Sequence, residues 1–297
     1  MTISYGVKDM KKYDELLKSF YKVFGFPEDP RSKLGSQRYE KAIKKFQVVV
    51  NHDWFKDLIQ KKRKIKILEL CSGMGIGGVA LAKVLSEKNI HVDLILTDLR
   101  DDALEIAKEW GSKEIGKEVQ IIKVDAKEIH TLKTKVDIIL MYGLSAPHFS
   151  PWDMVRLLAS ASEALVDDGL IIMEESDRIY RIFYQRGYKE VLPERVDNEK
   201  MVITVHAGYN MVRGTFNRAV MDLVSRSKPV VLEAYFWGLA ELMTFTWLFF
   251  KNVDFIKDPE GNVTQGFIVA IKPRRKIPPT MLRKNPKILR TITDKEH

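Results

Sequence analysis

Glu69-Leu70-Cys71-Ser72-Gly73-Met74-Gly75-Ile76-Gly77-Gly78 joins the apolar run that starts at Ile65 to a helical segment reading from Gly77 to Ser86. It is therefore a strand-to-helix turn, and the fold is read outward from it. Glycine at such a turn lets backbone approach a ligand with no Cβ in the way. Read narrowly, Gly73-x-Gly75-x-x-Gly78 with Asp98 twenty residues past Gly78 also fits a dinucleotide site. Glu69 argues against that reading. Four residues before Gly73, it directs a carboxylate toward the place a pyrophosphate would occupy, and suits instead a phosphate-free ligand with a positive ammonium group.

Beyond the turn, short apolar runs alternate with helical segments. Val92 to Leu96, Val119 to Val124, Val136 to Met141 and Gly169 to Met173 read as strands, with helices at Asp102 to Trp110 and Pro151 to Leu165 among them. Strands apolar on both faces imply a parallel sheet covered on both sides. Val253 to Ile256 and Phe267 to Ile271, joined by the turn signal Asp258-Pro259-Glu260-Gly261-Asn262, predict a closing antiparallel hairpin. The expected fold class is α/β: a three-layer, doubly wound, mostly parallel seven-stranded sheet with an antiparallel last strand.

Residues 1–60 read as an N-terminal helical extension or lid, with helices at Met10 to Phe24, Ser36 to Val48 and Trp54 to Gln60. Residues 61–272 form the main domain, in which 177–228 is an insertion after strand five and a possible substrate cap; 273–297 is expected as an extended, exposed basic tail. Pro229 to Phe250 is almost continuously apolar, but Glu233 and Glu241 interrupt it. Each acid would cost about 2.5–3.5 kcal/mol at a bilayer centre, so one buried helix or two are expected rather than a membrane span.

At these residues the sequence resembles the class I S-adenosylmethionine-dependent methyltransferase family, whose first motif is an acid, two or three small residues and a Gly-x-Gly loop. Glu69, Cys71, Gly73 and Gly75 match it, with Cys71 where many members have glycine and Ser72 where many have cysteine. Thr97-Asp98-Leu99 looks like the second motif, whose acid binds the ribose hydroxyls, and Asp125-Ala126 like the third, which meets the adenine amino group. Val136 to Leu140 resembles the fourth strand and Leu165 to Ile172 the turn into the fifth, so the likeness covers roughly residues 64–175 and the hairpin. It implies an enzyme with a Rossmann-like domain and S-adenosyl-L-methionine as cofactor, held by Glu69, Cys71, Gly73, Gly75, Asp98, Leu99, Asp125, Ala126 and Tyr142. Plain structural readings compete: Glu69 as a strand end, Asp98 as a helix-start acid beside Asp101 and Asp102, Asp125 as a turn former.

Methyl transfer from a sulfonium is an in-line displacement. Its rate can come from holding nucleophile and methyl together in a dry site, with a base needed only if a proton must leave. The Pro-Pro motif of members that methylate base amines is missing after strand four, and Cys71, the one cysteine, lies in the glycine loop. Six scattered histidines offer no pair at ligand spacing, so no metal is expected. Substrate contacts are expected in Tyr142 to Trp152, with His148 as first candidate for a general base and Tyr142 as a hydroxyl donor. Glu174, His206 and Tyr209 are weaker candidates, and His148 could equally pack its loop beside Pro147 and Phe149.

The net charge of +9 is segregated: residues 1–66 carry +9, 67–271 carry −7 and 272–297 carry +7. Lys61-Lys62-Arg63-Lys64 and Arg274-Arg275-Lys276 could steer RNA or an acidic lipid surface, or simply be solvated faces. The helical lobe and insertion resemble the lids of small-molecule methyltransferases. Tyr39, Phe46, Trp54, Tyr180, Phe183, Tyr184, Tyr188, Tyr209 and Phe216 would line their pocket unless they pack as core. A small-molecule acceptor with a nucleophilic O or N is the first reading. An rRNA or tRNA methyltransferase, or a non-catalytic binding module of the same fold, is the alternative. The single cysteine and the absence of an apolar signal core after Met1 suit a reducing, cytoplasmic setting.

Overall fold

The computed structural model describes residues 7–289, with side chains from residue 12. Helices α1 (Val7–Phe24), α2 (Lys33–Val49) and α3 (Asp53–Lys61) come first. The alternating core follows: β1 (Lys64–Leu70), α4 (Ile76–Glu87), β2 (His91–Asp98), α5 (Asp101–Ile115), β3 (Gln120–Lys123), β4 (Val136–Met141), α6 (Pro151–Ala164) and β5 (Leu165–Ser176). The chain then leaves this sheet for β6 (Val191–Val196), β7 (Met201–Asn210), β8 (Thr215–Asp222) and β9 (Val230–Ala234), and returns through α7 (Leu239–Phe249), β10 (Phe250–Lys257) and β11 (Gln265–Pro273).

The main sheet has seven strands in the order β10-β11-β5-β4-β1-β2-β3. β1 to β5 pair in parallel, while β11 lies antiparallel between β5 and β10. The strand period of two sorts the core. Ile65 and Ile67 pack into the cluster shared with α2, α3, α4 and α5; Leu68 and Leu70 pack into the one shared with α6 and α7. Ala42, Phe46 and Val49 of α2 and Phe55 of α3 have no exposed surface, and each large side chain contributes about 1.5–3 kcal/mol by leaving water. Two helices of the expected lid are thus built into the layer that covers the sheet, and α1 stands apart from them.

The segment after β5 is a second, antiparallel sheet in the order β6-β7-β8-β9, against which α1 packs through β8 and β9. Its last strand corrects the expectation of helix across Pro229 to Phe250. Leu232 is buried between exposed Val231 and Glu233, the alternation of a strand, and β9 pairs with β8 from Val230 to Ala234. The Glu233 carboxylate that interrupts the apolar run accepts from Arg213 at 3.1 Å and Thr215 at 3.2 Å. α7 itself is only half covered, burying Leu242, Thr246 and Phe249 while Trp247 and Leu248 face solvent.

The expected extended tail is also corrected, up to the last described residue; residues 290–297 lie outside the described part. Arg275 donates to the Ser162 and Leu165 carbonyls at 3.2 and 2.7 Å and to Asp167 at 2.5 Å. A short turn at Pro279–Leu282 follows, and Arg156 donates to Asn285 at 2.6 Å. Pro279 and Leu289 are buried. Orphan carbonyls at the end of α6 offered this basic segment partners that bulk solvent otherwise supplies.

Candidate active site

The carboxyl ends of β1, β2 and β4 open onto a cavity of about 1140 Å³. Its floor comprises Cys71 to Met74, Gly77, Asp98 to Arg100, Val124 to Lys127 and Tyr142 to Gly143. Its roof comes from outside the core: Tyr13, Leu16, Leu17 and Tyr21 of α1; Thr215, Asn217, Val231 and Glu233 of the second sheet; and Asn285 and Leu289 of the tail.

The glycine loop is shaped by backbone that side chains rarely tolerate. Gly75, with φ of 84°, starts α4, and a Cβ on it would lie 2.9 Å from Leu96 Cδ1. Cys71 takes a φ of 51° with a side chain present, which locates the physical reason glycine suits that position. Asp98 is buried, and its carboxylate accepts the Gly73 amide at 2.7 Å and the Arg100 amide at 3.0 Å. One bond closes the loop over the end of β1, the other fixes the start of α5. Asp125 caps the short turn Ala126–Leu132 by accepting the Lys127 amide at 2.9 Å, and its other oxygen lies 2.8 Å from the Lys127 ammonium. Leu99 is half-buried and Ala126 buried on the same floor.

Two of the sequence-derived cofactor residues do not line the cavity: Gly75, at the start of α4, and Glu69. Glu69 shares the strand face of Ile65 and Ile67, so its carboxyl lies beneath α4, where Oε2 accepts the Gly78 amide at 2.8 Å. A Cβ on Gly77 would meet its Oε1 at 2.3 Å, so the carboxyl fills the space that this glycine leaves. Burial pushes its pKa up to about 8 against the Gly78 bond and the Arg38 cation. The expectation of a carboxylate facing an ammonium group across open space is thereby corrected: the acid supports the loop from behind.

His148 lines the cavity, yet both ring nitrogens are withdrawn from it. Nε2 lies 3.2 Å from the Tyr21 hydroxyl and Nδ1 is buried with no partner among the described residues. Burial, with Arg178 and Arg100 nearby, lowers its pKa to about 4, which keeps the ring neutral and makes it a weak base. Tyr142 borders the floor, its ring 5.5 Å from Phe46, and burial raises its hydroxyl pKa so that it stays protonated.

Of the other candidates, Glu174 is buried outside the cavity and bonded to Lys45 at 2.9 Å and to the Gly143 amide at 3.0 Å. His206 is held by Tyr188 at 2.7 Å on the aromatic face of the second sheet, where Tyr209 also packs. None of the nine aromatics expected at the pocket lines it; Tyr39 and Phe46 are core, and Tyr180, Phe183 and Tyr184 are exposed. The cavity's rings are Tyr13, Tyr21, Phe26, Tyr142, Phe149 and Trp152. Sequence reasoning also missed Glu28, Arg38, Arg100 and Arg213. Arg100 alone carried a local signal, two residues past the Asp98 motif.

The floor suits a donor with an adenosyl group. Buried Ser72 Oγ has no partner among the described residues, the loop backbone is bare of Cβ atoms at Gly73 and Gly75, and acids stand at the ends of β2 and β3. S-adenosylmethionine, when bound, supplies an electrophilic methyl on a sulfonium.

Residues 67–169 match a family profile described as a methyltransferase domain. No curated protein matches the sequence. Among solved structures, a protein of Pyrococcus horikoshii OT3 superposes with a TM-score of 0.55 at 18% identity, covering 86% of this chain and 98% of that one. A S-adenosylmethionine-dependent methyltransferase of Clostridium acetobutylicum gives 0.52 at 14% identity, covering 80% and 96%. The CcbJ methyltransferase of Streptomyces caelestis gives 0.54 at 10% identity, covering 78% and 88%. At such identities these likenesses bear on the fold. The profile match over the glycine loop and the first five strands marks residues 67–169 as a methyltransferase domain, and these solved structures share its fold.

Proposed function

We infer that the enzyme methylates a nucleophilic O or N of a small molecule enclosed in the cavity. The observation that carries this reading is the roof: α1, the second sheet and the docked tail close over the strand ends from three sides. An acceptor held there is shielded from water, and alignment of its nucleophile with the methyl supplies most of the rate. In this reading Cys71, Gly73 and Gly75 receive the donor's backbone-facing side, Asp98 and Leu99 its ribose, Asp125 and Ala126 its adenine, and Glu69 stiffens the loop from below. Tyr142 and His148 form the wall beside the reacting atoms. His148 takes no proton, because a buried ring with a pKa near 4 is a poor acceptor. α1 acts as the lid.

The basic clusters offer little to an RNA acceptor. Lys61 to Lys64 lie at the amino end of β1, the opposite end from the cavity, with Lys62 paired to Asp137 and Lys64 to Asp93 at 2.7 Å. Arg274 and Arg275 are spent on the protein's own carbonyls.

Labelled methyl donor, incubated separately with a small-metabolite fraction and with total RNA, tests the reading. Label is expected in the small-molecule fraction. Transfer to RNA alone, weakened steeply by salt, would replace it. With the acceptor in hand, His148→Asn is expected to lower kcat less than about tenfold; a loss beyond about 100-fold would return it to the role of base.

A further inference from the structure

Where the chain leaves the main sheet after β5, it makes a wide helical turn, Ile179–Gln185, before entering β6. None of the seven residues of this turn is buried. Ile179, Tyr180 and Phe183 are exposed, and Tyr184 is 78% exposed, a concentration of apolar surface that needs a physical reason. Packing holds the rings outward. Tyr180 and Tyr184 stack on each other with centroids 5.0 Å apart, and Phe183 rests on Tyr188, Phe216 and Phe236 at 5.7, 6.0 and 6.0 Å. Exposed Tyr209 joins them through Phe216 at 4.8 Å. Thr215 and Asn217 line the cavity, so the alternation of a strand turns Phe216 to the opposite face of the second sheet. The patch therefore lies on the side of that sheet away from the methylation site.

The same stretch is positively charged. Residues 178–189 contain Arg178, Arg181, Arg186 and Lys189 and no acid. Arg178 is paired with Glu175 at 3.2 Å, and Arg181 donates to the Ser176 hydroxyl at 3.1 Å. Arg186 and Lys189 are exposed, and their side chains have no ion pair or hydrogen bond among the described residues. A Cβ on Gly187 would lie 4.0 Å from Lys189 Nζ, so that ammonium folds back toward Arg186 along the chain. Burial, with the Arg186 and Arg178 charges nearby, lowers the pKa of Arg181, as expected where cations gather without anions. Of the flanking acids, Asp177 is spent on the Tyr180 and Leu239 amides at 2.8 and 3.3 Å, and Glu190 lies past the cations just before β6.

This pairing of rings with open cations selects its partner. A second copy meeting the face across a two-fold axis would bring like charges together. RNA would meet the cations, but bases stack on free ring faces, whereas Tyr180 and Tyr184 spend one face each on the other and Ile179 has none. A bilayer with acidic head groups answers both features: tyrosine rings suit the head-group level, Ile179 and Phe183 the acyl boundary below it, and the cations the negative surface. We propose that the turn Ile179–Gln185, with Arg186, Lys189 and Tyr209, docks the protein on an anionic lipid surface.

Co-sedimentation of the full chain with vesicles tests it, phosphatidylcholine alone being set against phosphatidylcholine mixed with phosphatidylglycerol. The chain is expected to pellet with the mixed vesicles and to stay in solution with the neutral ones, and salt should weaken the binding. Each cation at an acidic surface contributes about fivefold, so Arg186→Gln combined with Lys189→Gln should weaken binding about 10- to 30-fold. Tyr184→Ser should also weaken it while leaving the thermal midpoint unchanged, because that ring stands mostly in solvent. No binding to the mixed vesicles, or equal binding to the neutral ones, overturns the proposal. So does a double variant or a Tyr184→Ser protein that binds as the parent does, which would move the contact to another part of the chain. In the absence of vesicle binding, RNA binding lost with the double variant would give the face to RNA, and a dimer dissolved by Tyr184→Ser would give it to a second copy; either result overturns the lipid assignment.

Discussion

Glu69 shows how one residue's surroundings set its chemistry. Only 1% of its surface is exposed, and burial raises its pKa from 4.5 to about 8. The unfolded chain ionises it near the lower value. Between the two, the folded state holds a proton that the unfolded state has released, so this group makes stability fall as pH rises across that window. A Glu69→Gln protein, whose amide oxygen can still accept from Gly78, should show a flatter dependence of its thermal midpoint between about pH 5 and 8. Parallel curves for parent and variant would contradict the assignment. The direction of Glu69 was readable from period two, since Ile65, Ile67 and Glu69 share a strand face. Its burial was not, because that depends on α4 lying over the face.

At the scale of an element, the segment between α1 and α2 works as a strap. Glu28 crosses from it to Arg100 in a two-pronged pair, and the Tyr21 ring lies 4.1 Å from the same guanidinium. Arg100 is 2% exposed, so removing Glu28 leaves a buried charge whose remaining carboxylate, Asp98, lies 3.6 Å from Nε. Breaking a fully buried pair costs about 3–5 kcal/mol, and Glu28, being partly open to the cavity, places Glu28→Ala at about 3 kcal/mol. Chemical denaturation measures the loss, and hydrogen exchange should show faster opening of α1 with α2 unchanged. A loss under about 1 kcal/mol would mark the pair as a surface contact with no strapping role.

At the scale of the whole molecule, the tail and the second sheet add walls to the crevice at the strand ends. Arg275 makes three bonds to α6 and the start of β5, and Leu289 is buried at the cavity's edge. Removing residues 273–297 should therefore lower stability by about 2–4 kcal/mol, from those bonds and the lost apolar contact together. An unchanged thermal midpoint would mean that the segment is the free tail its composition predicts. Among the described residues, the two basic clusters do not make a shared surface, because Lys61 to Lys64 sit at the amino edge of β1 and Arg275 is folded onto α6.

The sequence by itself determined the doubly wound sheet, its antiparallel close and the strand ends at which Cys71, Gly73, Asp98 and Asp125 stand. Those features follow from local periods of two and 3.6 and from turns that only glycine or a short polar residue forms well. Tertiary structure alone decided what roofs the cavity, which aromatics enter it, and which charges are paired there. Glu28 and Arg100, or Phe183 and Phe216, are far apart along the chain, and no local pattern records which side chains a closed fold brings into contact. The helix expected over Pro229 to Ala234 has the same cause: pairing with β8 decided a short apolar run whose own sequence suited either state.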